Sequence, residues 1–282
     1  MVTSSYNSPW KKTPENDQQI LTDAFLQFVW AISEFKVIAV FLVNSGQTLI
    51  YCCAGAEETY AAISSKQVEV VGKDERQGFT LMVGISMSGE VLPFQAIYSG
   101  KSPASLPTSV APNYLKATKD LKFQLEYSKG ANRWSTIGTM KSYVTNILVP
   151  YFESHRKRLN LPNQICIWQI DCWSVHRSLE FCSWMAGTYP WIHIHFVPAN
   201  CTGLFQPCDV GIQQVLKLAV RRSVLSDIVE HTRAQLDKGV LPSQITFEKR
   251  LPVVRNRSVG WLVNGYEAIN NPEIVQKVML LV

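Results

Sequence analysis

The period of the apolar positions changes several times along the chain, and each change marks an element. From Ile20, the residues Leu21, Phe25, Phe28, Val29 and Ile32 recur at helical spacing as far as about Glu34. Residues 37–43 are continuous and β-branched, the pattern of a strand buried on both faces. Residues 79–87 and 90–98 flank Ser88-Gly89, a two-residue hairpin signal, and Pro93 makes its strand an edge strand or starts it later. Residues 101–134, with Pro103, Pro107 and Pro112, read as a polar surface insertion carrying short elements. Ile137, Met140, Val144, Ile147, Leu148 and Phe152 then mark an amphipathic helix. It closes on the basic run 155–158, which suits the negative end of a helix dipole without needing a ligand.

The second half alternates strand and helix. A buried strand at 164–171 ends in Asp171, a short helix covers about 177–185, and a strand follows at 191–197. A loop over 198–207 leads into a helix from about Asp209 with Ile212, Leu216, Ala219, Leu225, Ile228 and Val229, which Gly239 stops. Trp261, Leu262, Tyr266 and Ile269 form a last helical pattern. Strands first and alternation afterwards predict an α/β fold with a mixed sheet flanked by helices. Residues 1–19 read as a loose leader and 20–282 as a single domain without repeats.

Composition narrows the class. Among 282 residues, 46% are hydrophobic and 17% charged, which excludes disordered and collagen-like chains. The first residues are polar with no apolar core, so no signal peptide is expected, and the longest apolar run, 37–43, is far short of the about 20 residues a bilayer needs. A soluble intracellular protein with no membrane partner is the expectation. Seven cysteines without a CxxC pair argue against a disulfide framework. His193, His195, Cys201 and Cys208 come nearest to a metal cluster, but their spacings match no zinc module; they read as a buried strand followed by two loop thiols. A net charge of +5 hints at a polyanionic partner and proves little alone.

Glycine-rich phosphate loops, nucleophile elbows and HExxH are absent from the sequence. What stands out is a pair of carboxylates at element junctions: Asp171 closes a strand and Asp209 opens a helix. Residues just beyond the carboxyl ends of neighbouring parallel strands converge on one crevice, where two carboxylates can hold Mg²⁺. The competing reading makes Asp209 a helix cap and Asp171 a structural acid, and spacing alone favours it.

An ordered series of motifs changes that balance. Residues 44–48 (Asn-Ser-Gly-Gln-Thr), 66–68, 72–76, 89–93, Gly100-Lys101, Ile170-Asp171 with His176-Arg177, and Pro198 through Thr202 to Gln206-Pro-Cys-Asp209 together resemble the DDE superfamily endonuclease domain of pogo-like transposases, the fungal type especially. The resemblance runs from about Ala24 to the end. It implies a ribonuclease-H-like fold in which three acids bind two divalent metals, Mg²⁺ or Mn²⁺, for in-line phosphodiester chemistry. Asp171 and Asp209 match the second and third acids. The first should lie within residues 44–48, where the family reads N-x-D-Q-T and this chain has Gly46. Glycine brings no ligand; Asn44 shares its face of a period-two strand and offers only a neutral oxygen, and Glu57 and Glu58 lie about ten residues on.

The residues around the acids complete the expectation. His176 is a further catalytic candidate, near a phosphate or a metal-bound water, or a helix-start histidine bonded to backbone. Arg177, Lys217, Arg221 and Arg222 are the candidate DNA-phosphate contacts, a solvated helix face being the plainer account of the last three. Trp134 and Trp173 are read first as core residues, with base stacking as the alternative. The resemblance thus implies a transposase-derived, nuclear, DNA-binding domain, catalytically defective through Gly46, with DNA and a second copy of the chain as expected partners. An active Mg²⁺-dependent endonuclease and a co-opted protein-interaction domain are the rival readings. No helix-turn-helix region is visible before the matching part, so a fragment, a degraded element or a gene model of the catalytic domain is expected.

Overall fold

The described residues, 17–51 and 78–281 of a computed structural model, are built on one mixed sheet of six strands. These are β1 (Leu42–Tyr51), β2 (Gly78–Ser86), β3 (Gln95–Tyr98), β4 (Gln124–Tyr127), β5 (Cys166–Asp171) and β6 (Ile192–Val197), in spatial order β4-β3-β2-β1-β5-β6. β1, β2 and β3 form an antiparallel meander, whereas β5 and β6 continue parallel to β1. Both faces are covered. On one lie α2 (Ile137–Tyr143), which runs through a π turn into α3 (Val149–Arg158), and α4 (Leu179–Thr188), packing Tyr143, Phe152 and Phe181 against Val43, Met82 and Trp168. On the other lie α6 (Gln213–Asp237), α7 (Leu251–Ile269) and α8 (Pro272–Leu280), which bury Leu216, Leu262 and Val275 against Leu81, Val83 and Ile85. α1 (Asp17–Glu34) sets Ala24 and Phe28 against Val197 of β6 and Phe205 of the short α5 (Thr202–Phe205).

Two strands depart from the apolar pattern. The run 37–43, predicted as a strand, passes through a 3-10 turn at Ala39–Phe41, and β1 begins only at Leu42. Its length lies instead in Asn44, Ser45, Gln47 and Thr48, polar residues that look like loop but pair with β2 along their whole extent. Residues 101–134 supply β4, which pairs in parallel with β3, and bury Ala117 and Phe123 in the core. β3 begins at Gln95, after Pro93, as the missing N–H requires. The long helix from Asp209 opens with a π turn at Cys208–Ile212 and stops before Gly239, whose φ of 78° is the left-handed value a helix stop asks of glycine.

The polar half of β1 is stable because its buried groups are bonded. Ser45 Oγ accepts from Trp168 Nε1 at 3.0 Å and pairs with Tyr143 Oη at 2.8 Å, tying β1 to β5 and α2 inside the core. Burial holds the Tyr143 phenol far above its ordinary pKa, so it serves as a neutral hydrogen-bonding group. Ser45→Ala leaves the Trp168 N–H unpaired in a dry core, so unfolding free energy should fall by about 1–3 kcal/mol. Urea titration reads this as a lower midpoint at unchanged slope.

Candidate functional site

Three elements meet at one point of the sheet. β1 and β5 run parallel with Asn44 opposite Gln169 and Ser45 opposite Ile170, so the next step along both strands brings Gly46 level with Asp171. Asn44 Nδ2 donates to Gln169 Oε1 at 3.0 Å, and its Oδ1 accepts the backbone N–H of Cys208 at 3.0 Å. Gln206 Nε2 donates to the Ser45 carbonyl at 3.2 Å. These bonds fasten the turn that carries Asp209 onto β1. A Cβ built on Gly46 would stand 2.7 Å from Gln206 Nε2, 2.9 Å from Asp209 Oδ1 and 3.0 Å from Cys208 Cβ. Position 46 therefore lies beside Asp209, one step beyond the Ser45–Ile170 pair that leads to Asp171, and it has no side chain.

Each acid is held by neutral donors. His176 Nδ1 donates to Asp171 Oδ1 at 2.5 Å, and the Trp173 N–H approaches the same oxygen at 3.4 Å. Gln47 Nε2 donates to His176 Nε2 at 3.1 Å, while Ser135 Oγ donates to Gln47 Oε1 at 2.8 Å. Because the Gln47 N–H points at Nε2, the ring hydrogen sits on Nδ1, facing the carboxylate. His176 is fully buried with both nitrogens engaged, so it positions Asp171 and presents no nitrogen to a bound molecule. Asp209 accepts from Gln213 Nε2 at 2.5 Å, one helical turn on. Both acids are partly exposed, Asp171 at 27% of its side chain.

A two-metal centre does not fit this donor set. Among the described residues, no three of His, Cys, Asp and Glu converge so as to hold a metal ion. Asn44 is wholly buried and its oxygen is committed to Cys208, so it does not replace the missing acid. Glu57 and Glu58, the motifs at 66–68 and 72–76, and Cys52 and Cys53 lie outside the described residues. Amides surround the site: Gln213 bonds Asp209, Gln206 lies against position 46, and Gln47 bonds His176. Gln47 and Gln206 lay within the motifs that carry the resemblance, without a role assigned to them; Gln213 was not singled out, although it stands one helical turn after Asp209.

The candidate cations are all exposed. Arg177 follows the Asp171 loop. Lys217 and Arg221 continue the row of Gln213 at steps of four residues, each about 6 Å further along α6. Arg222 lies about half a turn round the helix from Gln213, away from that row. His193 and His195 alternate on β6 and meet aromatic rings: His195 sits 4.6 Å from Phe28 and His193 sits 5.2 Å from Phe35. Cys201 and Cys208 are buried, the latter thiol pushed well above its ordinary pKa by burial.

Comparison with known proteins places the chain in a family. Residues 76–277, well over half of the chain, match the family model described as DDE superfamily endonuclease. The chain belongs to the DDE superfamily of endonucleases. Among solved structures, the Mos1 mariner paired end complex with Mn is similar at a TM-score of 0.51 and 9% identity, over 99% of this chain and 63% of that one. The Mos1 strand transfer complex is similar at a TM-score of 0.51 and 9% identity, over 99% and 62%. This DDE domain thus spans less than two thirds of those chains. At such identity the likeness is one of fold, and the fold is ribonuclease-H-like. A search of curated proteins gives no match. No described helix is long and apolar enough to cross a membrane.

The buried imidazole of His195 on β6 predicts a loss of stability in acid. Burial, with a smaller contribution from His193, lowers the His195 pKa from 6.5 to about 4, and its Nε2 is buried without a hydrogen-bond partner. The unfolded chain takes up the proton first, so this contribution is complete above pH 6.5 and is lost as pH falls toward 4. His195→Phe keeps a ring against Phe28 and cannot be protonated. Its melting temperature should decline less across that window than the parent's, measured by circular dichroism; parallel curves would place the acid sensitivity elsewhere.

Proposed function

We propose that this DDE domain, of the pogo-like fungal type, binds DNA and does not cut it. The reading is carried by one observation: the position that follows the Ser45–Ile170 pair, where a Cβ would stand 2.9 Å from an Asp209 oxygen, is glycine. Two-metal displacement depends on dense negative charge to fix and bridge the cations. Asp171 is held by His176 and Asp209 by Gln213, and among the described residues a divalent ion finds these two carboxylates and no third acid, histidine or cysteine converging with them. The similar Mos1 structures are a paired end complex with Mn and a strand transfer complex, which supports transposon DNA as the class of partner here and divalent metal as a family habit. Nuclear residence and self-association belong to the same reading.

DNA is met through phosphates. Arg177 beside the acids and the Lys217–Arg221 row on α6 supply the contacts, with Arg222 on the far side of the helix contributing less. Among the rivals, the co-opted interaction domain has one observation in its favour: α1 exposes Phe25, Leu26, Val29 and Trp30 on neighbouring positions. DNA affinity that is absent, or indifferent to salt, would decide for that rival.

Two experiments test the proposal. Gly46→Asp must push the Gln206 amide aside and places a third carboxylate beside two others, so apo stability should drop by about 1–3 kcal/mol. Mn²⁺ should then raise the melting temperature of Gly46→Asp and leave the parent unmoved. Equal shifts in both proteins would remove position 46 from the site, and plasmid nicking by the parent, abolished in Asp171→Ala, would overturn the proposal. Separately, duplex affinity should fall steeply with salt, and Lys217→Glu with Arg221→Glu should flatten the log–log slope by about 2. An unchanged slope would clear α6 of DNA contact.

A further inference from the structure

The two tryptophans nearest the acids are not core residues. Trp134, in the loop before α2, is 58% exposed, and neither it nor Trp173 joins the packed clusters on either face of the sheet. Their ring centroids lie 6.5 Å apart with planes tilted by 45°, so they are splayed rather than stacked. Trp173 meets the edge of His176 at 5.4 Å, and its backbone N–H points at Asp171. The residue after Trp134, Ser135, holds Gln47, which holds His176. One hydrogen-bonded chain thus fixes both tryptophan-bearing loops against the acid end of the sheet.

We propose that Trp134 and Trp173 form a stacking platform for an unpaired base of a nucleic-acid strand passing the Asp171–Asp209 centre. The inference rests on the reading above that the domain binds DNA. Carboxylates repel phosphates, so adhesion beside them requires a contribution that is not charge, and a tryptophan face supplies it to any base. The flanking sequence suits a polyanion: residues 128–135 carry Lys129 and Arg133, residues 172–179 carry Arg177, and neither stretch contains an acid. An apolar peptide would gain nothing from those cations. A paired base inside a duplex hides its face, so the platform favours single-stranded or unstacked positions.

The test compares a labelled oligothymidylate with a duplex of equal length by fluorescence anisotropy. Trp134→Ala should weaken oligothymidylate binding by about tenfold and change duplex binding by less than about twofold. Trp134→Phe should restore most of the loss. Trp134→Leu, apolar but without a π face, should not. Intrinsic tryptophan fluorescence of the parent should be quenched by the oligothymidylate and less so in Trp134→Ala. Unchanged oligothymidylate affinity in Trp134→Ala, or full activity of Trp134→Leu, would overturn the platform while leaving DNA binding intact. Failure of the parent to bind either nucleic acid would overturn the functional reading itself.

Discussion

The acid end of the sheet depends on a single buried amide. Asn44 bonds Gln169 on β5 with its nitrogen and the Cys208 N–H with its oxygen, so one side chain joins β1, β5 and the turn bearing Asp209. A buried amide left unpaired costs about 1–3 kcal/mol per lost bond, and here both of its ends are used. Gln206 repeats the tie from the other side through the Ser45 carbonyl. The spacing of Asp171 and Asp209 is therefore set by hydrogen bonds between neutral groups. These ties hold without a cation, around a position that has no side chain.

Glycine at 46 is more than a missing ligand, because its neighbours have closed in. A Cβ there would fall inside contact distance of Gln206, Asp209 and Cys208 at once. The Gln206 amide can turn away at modest cost, but the Cys208 carbon belongs to the turn and yields only with backbone. The accommodation is imperfect, since Gln206 Oε1 is buried without a hydrogen-bond partner. Each carboxylate meanwhile accepts a hydrogen bond, Asp171 from His176 and Asp209 from Gln213.

How much of this was legible in the sequence follows from what periodicity can see. α1, the α2–α3 helix, β5 with its terminal Asp171, and β6 were all read correctly in kind, since their apolar faces repeat over whole elements. β1 was displaced because its central residues are polar and buried, satisfied by partners 125 and 164 positions away. No local pattern records such a bond. β4 was hidden for a related reason: a four-residue strand of half-buried residues inside a proline-punctuated stretch has no period to detect. The candidate acids were singled out as site residues by the order of motifs rather than by spacing, which had favoured a structural reading.

Trp134 shows the opposite failure, in which residue type suggested burial and the fold denies it. A tryptophan in a short polar loop ahead of a helix has no sheet face to pack on, and Ser135, its neighbour, turns inward to hold Gln47. Ser135, tied to Gln47, is 4% exposed, while Trp134 beside it is 58% exposed. The exposed ring thus adjoins the same Ser135–Gln47–His176–Asp171 chain that holds the acid. Orientation of the carboxylate and presentation of the aromatic face come from one set of bonds, and a change that loosens either will be felt by the other.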